Sequence, residues 1–527
     1  MLNQSGFSLP ALVLRGLVMS WRSDRPLRVL VAASEVVGFA KTGGLADVAG
    51  ALPRALAERG LDVAVIMPLY RTARQSAATP RATEIVFDVR LSERSYPARL
   101  WRATLPNSEV PAWLVEQPEF FDRDDASRGR GLYQFVDGHG HKQDYPDNGE
   151  RFTFFCHAVL AALPKIGWWP DVLHANDWQT GLIPPLLRQG TAVRHDSPFE
   201  SLRTLFTIHN IAYQGVFPAS LFAKTGLPER LFNWEQLEFH GHVNLLKAGI
   251  VFADRLNTVS PSYAREIQTR YYGCGLEGVL MARHVHLSGI VNGVDYKDWN
   301  PATDRFLAAN YTPETVDEGK PRCKVDLQKR LGLPQAPHIP ILGVVARLAE
   351  QKGIDLILKC AETLISHGVQ LVILGEGEPE YQRRFQALQE RHSHQVRAVL
   401  AFDEALAHRI EAGADIFLMP SRYEPSGLNQ LYSLKYGTVP VVRATGGLAD
   451  TIVDATDDTV ANGAATGFRF SAYADFALRE AIERALHVLK QRPNVWRRLM
   501  QIGMSQDWSW ARSAAEYERL YRDLVPD

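Results

Sequence analysis

A lysine followed by a pair of glycines stands where the first apolar run of the chain gives way to a helical pattern. The segment reads Lys41-Thr42-Gly43-Gly44 and follows a predicted buried strand, Leu27–Ala33. From Leu45 onward, apolar residues recur at helical spacing. A helix that begins after such a turn presents unpaired backbone N–H groups, and the lysine adds a positive charge beside them. The pattern predicts an anion-binding turn; the alternative is that the glycines only allow the backbone to turn.

A second group of charged residues follows predicted strands in the other half of the chain. Arg347 and Lys352 come just after an apolar run, and Glu424 follows another run and precedes Gly427, which opens an apolar helical pattern. A guanidinium can hold two phosphate oxygens at once, an ammonium is a mobile point charge, and a carboxylate suits sugar hydroxyls. Without a ligand, the same residues would be solvated loop cations and an acid at a helix start.

Imidazole, carboxylate and aromatic groups end two further strands of the first half. His174-Ala175-Asn176-Asp177-Trp178 ends one strand, and His209-Asn210 ends the other. Such groups serve proton transfer or stack on sugars. Their spacing does not match a zinc-binding pair of histidines on one helix face, so no metal site is predicted.

Composition excludes several classes of protein. The 527 residues contain 58 Lys and Arg against 59 Asp and Glu, which argues against a nucleic-acid-binding surface spread over the chain. The four cysteines are far apart, which favours neither a zinc site nor a disulfide framework and suits a reducing cytoplasm. No apolar run approaches the ~20 residues of a membrane helix, so no membrane association is predicted.

Short β-rich runs alternate with helical patterns in both halves, which is typical of parallel sheets covered on both faces. We therefore predict two doubly wound, Rossmann-like α/β domains, with ligands bound beyond the carboxyl ends of the strands and in the cleft between the domains. The predicted strands are Leu27–Ala33, Leu61–Met67, Ala112–Val115, Val172–His174, Thr204–Ile208, Arg255–Thr258, Ile290–Val294, Ile341–Val345, Gln370–Leu374, Arg397–Ala401, Asp415–Met419 and Val439–Val442.

The domain boundaries follow from where this rhythm stops. The apolar spacing after Asp507 predicts one helix, which either completes the second domain or crosses back to the first. Met19 is a possible alternative start of the protein. The predicted order is a disordered extension (1–26), an N-terminal domain (27–295), a linker (296–335), a C-terminal domain (336–506) and a final helix (507–527).

Taken together, the motifs resemble those of bacterial glycogen synthases and plant starch synthases, in family order over roughly residues 27 to 520. The matching segments are Lys41-Thr-Gly-Gly-Leu-Ala-Asp47, Asp147-Asn148 with Arg151-Phe152, His174-Ala-Asn-Asp-Trp178, Phe206-Thr-Ile-His-Asn210 with Tyr213-Gln-Gly215, Val291-Asn-Gly-Val-Asp295, Arg347-Leu348 with Gln351-Lys-Gly353, Pro420-Ser-Arg-Tyr-Glu-Pro425 and Tyr436-Gly-Thr438.

The resemblance implies a glycosyltransferase of the GT-B type, two facing doubly wound domains with the last helix crossing back to the first. It implies transfer of glucose from ADP-glucose to the non-reducing end of an α-1,4-glucan such as glycogen, with retention of configuration and without a metal or another cofactor. Because no carboxylate in these motifs stands out as a covalent nucleophile, we favour a front-face mechanism in which the leaving phosphate helps to deprotonate the acceptor.

The resemblance also implies a role for each site residue. Lys41, Gly43 and Gly44 would meet the phosphates and the transferred glucose, while Asp47 and Asn292 would contact the sugar nucleotide. Arg347 and Lys352 would hold the diphosphate, Glu424 would bind glucose hydroxyls, and Asp177 and His209 would lie near the anomeric centre. The implied catalytic set is Lys41, Asp177, His209, Arg347, Lys352 and Glu424. The implied donor-binding set is Lys41, Gly43, Gly44, Asp47, Asn292, Arg347, Lys352, Glu424, Gly427, Leu428 and Asn429.

The chain departs from the family pattern at three positions near the site. Asn176 stands where many bacterial members carry His, Ser426 where Cys is common, and Asn429 where Thr is common. These swaps concern donor binding more than the reaction, and no thiol-dependent inactivation is expected at Ser426. The alternatives are a transferase that uses UDP-glucose or a small acceptor, a glucan phosphorylase with pyridoxal phosphate, and a non-catalytic glucan-binding protein.

Overall fold

The computed structural model describes residues 25–123, 132–137, 142–190 and 198–525. Met19 and all but the last two residues of the predicted extension, 1–26, lie outside the described residues. The chain divides into two compact units, unit 1 (Met1–Leu256 with Ala514–Asp527) and unit 2 (Asn257–Ser513). This division lies at Leu256, whereas the sequence suggested a linker at 296–335, and it groups residues 514–527 with unit 1.

Unit 1 begins on an apolar strand that the sequence predicts. Its strands are β1 (Arg28–Ala32), β2 (Asp62–Pro68), β3 (Arg81–Leu91), β4 (Arg94–Thr104), β5 (Pro111–Glu116), β6 (Gln134–Val136), β7 (Lys142–Asp144), β8 (Val172–Asn176), β9 (Arg203–Ile208), β10 (Val216–Pro218), β11 (Glu238–Phe239) and β12 (His242–Asn244). Its helices are α1 (Gly44–Glu58), α2 (Arg71–Arg74), α3 (Pro118–Phe121), α4 (Asn148–Ile166), α5 (Ile183–Gln189) and α6 (Leu245–Phe252).

Seven of these strands lie in the main sheet of unit 1, in the order β9-β8-β1-β2-β5-β4-β3. The other five form two small sheets, β6-β7 and β10-β12-β11. Strand β1 pairs in parallel with β2 on one side and with β8 on the other, with Val29 opposite both Val63 and Val172. The chain winds from β1 toward β2 and β5, and then returns to β8 and β9 on the other side. The order therefore reverses between β1 and β8, which is where ligands bind in open parallel sheets.

Unit 2 contains a second sheet made only of parallel pairs. Strand β13 (Arg255–Thr258) crosses the unit boundary, and the strands that follow are β14 (Leu287–Gly289), β15 (Ile341–Val345), β16 (Gln370–Leu374), β17 (Val396–Val399), β18 (Ile416–Met419), β19 (Val439–Arg443) and β20 (Phe468–Phe470). The helices are α7 (Pro261–Glu266), α8 (Glu277–Ala282), α9 (Val316–Arg330), α10 (Ile354–Ser366), α11 (Pro379–Arg391), α12 (Glu404–Gly413), α13 (Asn429–Lys435), α14 (Gly446–Thr451), α15 (Asp457–Ala461), α16 (Asp475–Gln491), α17 (Pro493–Ser505) and α18 (Trp510–Leu524), whose last residues belong to unit 1.

The strand order of this sheet is β17-β16-β15-β18-β19-β20. Counted from β15, this is the order 3-2-1-4-5-6 of a nucleotide-binding Rossmann sheet. Its switch point lies between β15 and β18, with Leu342 opposite Ile416. The predicted fold class, two doubly wound α/β units, is confirmed; in unit 1 the antiparallel strands β3 and β4 extend the parallel sheet.

The structure differs from the predicted strands in two places. The short strand and turn predicted at Ile290–Val294 is wrong in its strand: β14 ends at Gly289, and Val294 N–H donates to the carbonyl of Trp508 at 2.7 Å, outside the main sheets. The hairpin of β3 and β4 was not predicted, because its residues alternate between exposed and covered positions instead of forming an apolar run. The first difference concerns the predicted site residue Asn292, which lies in the loop after β14 and not in a strand.

Among the described residues, no helix combines the length and the apolar character needed to span a bilayer.

Candidate functional site

The Lys41 turn lies after β1, at the switch point of unit 1. Helix α1 begins at Gly44, and Asp47 in its first turn forms an ion pair with Lys41, Nζ to Oδ1 2.6 Å. Half of the Lys41 side chain is exposed. A Cβ added at Gly43 or Gly44 would meet no atom within 4 Å, so the turn is open on the outside. A charged, open turn of this kind is accessible to an anionic ligand.

The sequence suggested that the backbone N–H groups of this turn are unpaired, but two of them have a partner. The buried carboxylate of Glu35 accepts from Thr42 N–H (2.5 Å), Thr42 Oγ1 (2.9 Å) and Gly43 N–H (3.2 Å). Tyr133 donates its hydroxyl to the same carboxylate at 3.1 Å. The sequence did not indicate Glu35, because an isolated acid between two elements carries no pattern. The contacts of Glu35 stabilise the turn, and the Lys41 ammonium is the half-exposed cation of the turn.

Asp177 follows β8 at the same switch point and has an unusual backbone. Its φ is +55°, a left-handed conformation that non-glycine residues adopt at a cost. Two bonds to the end of β9 hold it there: Asp177 N–H donates to the Thr207 carbonyl at 2.9 Å, and His209 N–H donates to Asp177 Oδ1 at 2.7 Å. Burial raises the pKa of Asp177 to about 7. The carboxyl can therefore hold or release a proton near neutral pH.

Two buried histidines, His174 and His209, lie close to Asp177 at the ends of β8 and β9. His209 Nε2 is 2.9 Å from Asn176 Oδ1. His174 lies between Tyr521 of α18 and Thr207, with ring nitrogens 2.8 Å and 2.7 Å from the two hydroxyls. Burial lowers the pKa of each histidine to about 3, so both rings are neutral at physiological pH.

Arg347 and Lys352 follow β15, at the switch point of unit 2. The Arg347 side chain is exposed, and its guanidinium donates to Gln351 Oε1 at 3.0 Å. Gly353 ends the loop at φ +71°, where a Cβ would lie 2.1 Å from the carbonyl oxygen of Pro420. Only glycine fits this close approach, so the loop after β15 is fixed against the segment after β18.

Glu424 lies in that second segment, and it is buried and paired. Lys352 Nζ lies 2.6 Å from Glu424 Oε2, and the Ser421 hydroxyl donates to the same oxygen at 3.1 Å. The Glu424 side chain is 7% exposed and that of Lys352 25%. A partly exposed ammonium on a buried carboxylate can move to a phosphate while the carboxylate accepts a sugar hydroxyl.

The start of α13 completes this group. Gly427 has φ +69°, and the helix begins at Asn429, two residues later than the sequence suggested. Asn429 Nδ2 donates to the carbonyl of Val345 at 2.6 Å, which ties the helix start to the end of β15, two residues before Arg347. The Asn429 side-chain amide therefore contacts the strand end that carries Arg347.

Asn292 lies in the loop after β14, where the Ser513 hydroxyl donates to the neighbouring Val291 carbonyl at 2.7 Å. Asn292 is 7% exposed, and its N–H donates to Ser426 Oγ at 3.4 Å. Its Oδ1 is buried and has no hydrogen-bond partner among the described residues. Since a buried polar atom without a partner costs free energy, this oxygen is a candidate ligand contact.

The structure thus brings together three pairs of predicted site residues within single units: Lys41 with Asp47, Asp177 with His209, and Lys352 with Glu424. The predicted site residue Asn292 contacts Ser426, which is one of the departures from the family pattern. Arg347 contacts Gln351 instead of another predicted site residue. Among the described residues, no group of three or more His, Cys, Asp or Glu side chains is arranged to hold a metal ion.

Known proteins match the chain along most of its length. The family model for the starch synthase catalytic domain matches residues 28–282, and the model for glycosyl transferases group 1 matches residues 332–496. A glycogen synthase of Anaeromyxobacter dehalogenans is 49% identical over 501 residues, covering 95% of this chain and 100% of that protein. Glycogen synthase 2 of Geobacter sulfurreducens is 48% identical, covering 94% and 98%.

The chain belongs to the glycogen synthase family.

Solved structures agree with this assignment. The catalytic domain of starch synthase IV from Arabidopsis thaliana, bound to ADP and acarbose, superposes with a TM-score of 0.85 at 34% identity, covering 95% of this chain and 100% of that chain. Sucrose-phosphate synthase from Thermosynechococcus elongatus, at 19% identity and a TM-score of 0.55, shows the fold alone. The chain is therefore a glycosyltransferase of the GT-B type, and its family uses a nucleotide-sugar donor and a glucan acceptor.

Sequence reasoning missed a second copy of the glycine turn in this glycogen synthase family member. Residues 445–450 repeat the Thr-Gly-Gly-Leu-Ala-Asp of residues 42–47. A Cβ at Gly446 would lie 1.9 Å from the Glu424 carbonyl oxygen, and one at Gly447 would lie 2.0 Å from that of Ser426. The second copy therefore packs against the backbone that carries Glu424. The repeat itself was the signal that could have revealed it.

Phe402 was also missed. It follows β17 and is 89% exposed, although it is a large apolar ring. Strand β17 lies two places from β15 in the same parallel sheet, so Phe402 lies at the sheet edge that also carries Arg347. An exposed ring at such an edge can stack on a planar base. A lone phenylalanine after a strand has no distinguishing sequence pattern.

Proposed function

We propose that this chain transfers glucose from ADP-glucose to the non-reducing end of an α-1,4-glucan, with retention of configuration. The observation that carries the proposal is the pairing of the partly exposed Lys352 with the buried Glu424, beside the open guanidinium of Arg347. When a nucleotide sugar binds, Lys352 and Arg347 neutralise the diphosphate, and Glu424 is released to accept a hydroxyl of the glucose.

The proposed donor site in unit 2 uses groups of different chemistry. Arg347 grips two phosphate oxygens, Lys352 supplies a second charge, and backbone N–H groups around Gly427 and Leu428 add further donors. The unpaired Oδ1 of Asn292 accepts from the donor. Asn429 holds the end of β15, and thereby Arg347, in position.

The proposed role of unit 1 is to act on the reacting sugar. Lys41 supplies a cation for the departing phosphate, with Gly43 and Gly44 leaving room for the ligand and Asp47 orienting the lysine. Asp177 and His209 lie near the anomeric centre in this proposal. The fixed positive charges stabilise the diphosphate as it leaves, and a phosphate oxygen takes the proton of the acceptor hydroxyl from the same face of the sugar.

Adenine recognition is assigned to the exposed ring of Phe402. Stacking on a purine stabilises binding by about 1–3 kcal/mol. Phe402→Ala should therefore raise the KM for the nucleotide sugar about tenfold or more. Phe476 provides a matched control, since it is another exposed phenylalanine of unit 2 (58%) but lies on helix α16; Phe476→Ala should leave the KM unchanged.

The decisive test is turnover with ADP-glucose and with UDP-glucose, each with glycogen and with glucose or maltose as acceptor. We expect the fastest transfer from ADP-glucose to glycogen, with new α-1,4 linkages and loss of transfer in Glu424→Gln. Faster transfer from UDP-glucose or to the small acceptors would overturn the donor or acceptor assignment. Glucan binding without turnover would favour a binding protein.

A further inference from the structure

Asn176 lies at the end of β8, and its side-chain amide is buried, with the residue 1% exposed. Two backbone carbonyl oxygens and one imidazole nitrogen surround the amide. Its Nδ2 lies 3.1 Å from the carbonyl oxygen of Ala32 and 3.2 Å from that of His174. Its Oδ1 lies 2.9 Å from Nε2 of His209. Both ends of the amide therefore have partners.

These partners permit one orientation of the amide. A backbone carbonyl oxygen can only accept a hydrogen bond, so the end of the Asn176 amide that faces two carbonyls must be the NH₂ group. The flipped amide would direct its oxygen at two other oxygens inside the protein, where an unsatisfied polar contact costs about 1–3 kcal/mol. The carbonyl end of Asn176 consequently faces His209.

The orientation of Asn176 decides which nitrogen of His209 carries a proton. The side-chain oxygen of Asn176 has no hydrogen to donate, so Nε2 of His209 must donate to it. A neutral imidazole has one N–H, and once that hydrogen is on Nε2 the other nitrogen, Nδ1, is an acceptor.

We propose that Asn176 is a positioning residue that holds His209 as the neutral Nε2–H tautomer, so that Nδ1 accepts a hydrogen bond from a hydroxyl of the reacting sugar. A sugar hydroxyl can donate to this nitrogen, whereas a fluorine or hydrogen atom at the same carbon cannot. The tautomer is a property of the protein alone. Its use on a sugar rests on the proposed transfer of glucose.

The surroundings of His209 favour the neutral ring. His209 is 9% exposed, and burial holds its pKa far below the usual value. The titratable neighbours are the Asp177 carboxyl, which accepts from the backbone N–H of His209, and the buried His174, whose pKa is lowered by burial and by the nearby His209. Asp177 contacts the His209 backbone and not its ring, so the Asn176 oxygen remains the partner of Nε2.

The tautomer can be measured without any substrate. In full-length protein labelled with [15N]histidine, the 15N chemical shifts show which ring nitrogen is protonated, and the His209 signals are those missing in His209→Gln. We expect a protonated Nε2 and an unprotonated Nδ1 at every pH from 6 to 8. His157 is an internal reference, because its Nε2 lies 2.9 Å from the Thr225 carbonyl and must also be protonated. A protonated Nδ1 on His209 would overturn the proposal.

Asn176→Leu tests the same point by removing the acceptor opposite Nε2. Without the Asn176 oxygen, nothing holds the proton on Nε2, so signals of a protonated Nδ1 should appear in part of the His209 population. The His157 signals should not move. If His209 in Asn176→Leu still shows only a protonated Nε2, Asn176 does not control the ring.

Donor analogues test the consequence for the reaction. With the parent protein, replacing one glucose hydroxyl at a time by fluorine should lower kcat/KM at least tenfold at the position that faces Nδ1. In Asn176→Leu this penalty should fall, because the His209 rings that carry their proton on Nδ1 no longer need a donating hydroxyl. Equal penalties in both proteins would overturn the sugar contact, while the NMR result would still report the tautomer. Absence of any transfer in the parent protein would instead refute the proposed function.

Discussion

The same six residues, Thr-Gly-Gly-Leu-Ala-Asp, occur in unit 1 at 42–47 and in unit 2 at 445–450, and both copies bind a carboxylate. Glu35 accepts from Thr42 Oγ1 and from the N–H groups of Thr42 and Gly43. Glu266 accepts from Thr445 Oγ1 at 3.0 Å and from Gly446 N–H at 3.0 Å. The local chemistry of the motif is therefore the same in both units.

The copies differ in what surrounds them. In the first copy, the glycines are exposed and Lys41 precedes the threonine. In the second copy, the glycines are buried against the carbonyls of Glu424 and Ser426, and an alanine precedes the threonine. A motif that is open to solvent and carries a charge can bind a ligand, whereas a buried copy without the charge positions its neighbours. Exposure, more than the motif, separates the two roles.

The largest expected effect concerns the buried copy. Gly447→Ala places a Cβ 2.0 Å from the Ser426 carbonyl oxygen, so the backbone that carries Glu424 must move, at a cost of about 3 kcal/mol of stability or more. Gly44→Ala is the matched control, since its Cβ meets nothing within 4 Å and alanine favours a helix. Thermal melting should show a strong loss for Gly447→Ala alone. Equal melting temperatures would mean that the two copies do not differ in packing.

The next effect concerns the open copy. Lys41→Ala should lower kcat by about 10²–10³-fold, because it removes a fixed cation from the leaving group, and should leave the melting temperature unchanged, because the side chain is half exposed. Lys359→Ala is the control: this exposed lysine is also paired with an aspartate, Asp355 at 3.5 Å, but lies on α10. Near-normal turnover of Lys41→Ala with saturating donor would remove Lys41 from the mechanism.

Unit 2 has its own open cation, Arg347, and its own paired one, Lys352. Arg347→Lys should cost about 10- to 100-fold in kcat/KM, since a point charge cannot replace the two-pronged contact with phosphate. Lys352→Arg should be milder, because an arginine can still pair with Glu424. Both changes keep the net charge, so steady-state kinetics with ADP-glucose and glycogen report geometry. The reverse order of effects would exchange the two assigned roles.

Acid should affect two regions with opposite signs: the buried histidines near β8 and β9, and the carboxylate bound by the second glycine turn. Within the first region, Asp177 offsets part of the histidine effect, because burial raises its pKa to about 7 and its contribution to stability is lost as the pH rises. His174 and His209 have pKa values lowered to about 3, so the stability they contribute is complete above their unfolded value, ~6.5, and is lost as the pH falls, by about 2 kcal/mol each at pH 5. Burial raises the pKa of Glu266 beneath the second copy, so its contribution is complete at low pH and is lost as the pH rises.

Amide hydrogen exchange resolves this effect by region. After correction for intrinsic exchange rates, β8 and β9 should lose protection between pH 7.5 and pH 5, and α14 should not. His209→Gln should remove part of the loss at β8 and β9. An equal change of protection in His209→Gln and in the parent protein would show that His209 does not remain neutral in the folded protein, because Asp177 titrates in both.

Much of the fold follows from local sequence. The apolar runs that form β1, β15 and β18 are long enough to be identified as buried strands, and the spacing after Gly44 predicts α1. The hairpin of β3 and β4 could not be predicted in the same way, because one of its faces is solvated and its apolar residues are interrupted.

The candidate site residues also fall into those that a local sequence pattern indicates and those that it does not. Lys41, Arg347 and Lys352 could be proposed from the sequence because charged residues after a parallel strand lie at the ligand-binding edge of its sheet. Glu35, Phe402 and the contact of Asn176 with His209 could not be proposed in this way, since each was recognised only from a tertiary contact or from its exposure. Glu35 and Thr42 are close in sequence, yet only the turn after β1 brings the carboxylate onto the N–H groups.

The sequence by itself determined the family, the two parallel α/β units and the identity of the charged side chains at the strand ends, because these depend on residue types and short-range spacing. Only the tertiary structure decided that one Thr-Gly-Gly turn is open and the other buried, that Lys352 rests on Glu424, and that Asn176 directs its oxygen at His209. Each of these depends on which distant backbone or side-chain atoms exclude water and accept or donate a hydrogen bond, and no local pattern encodes that.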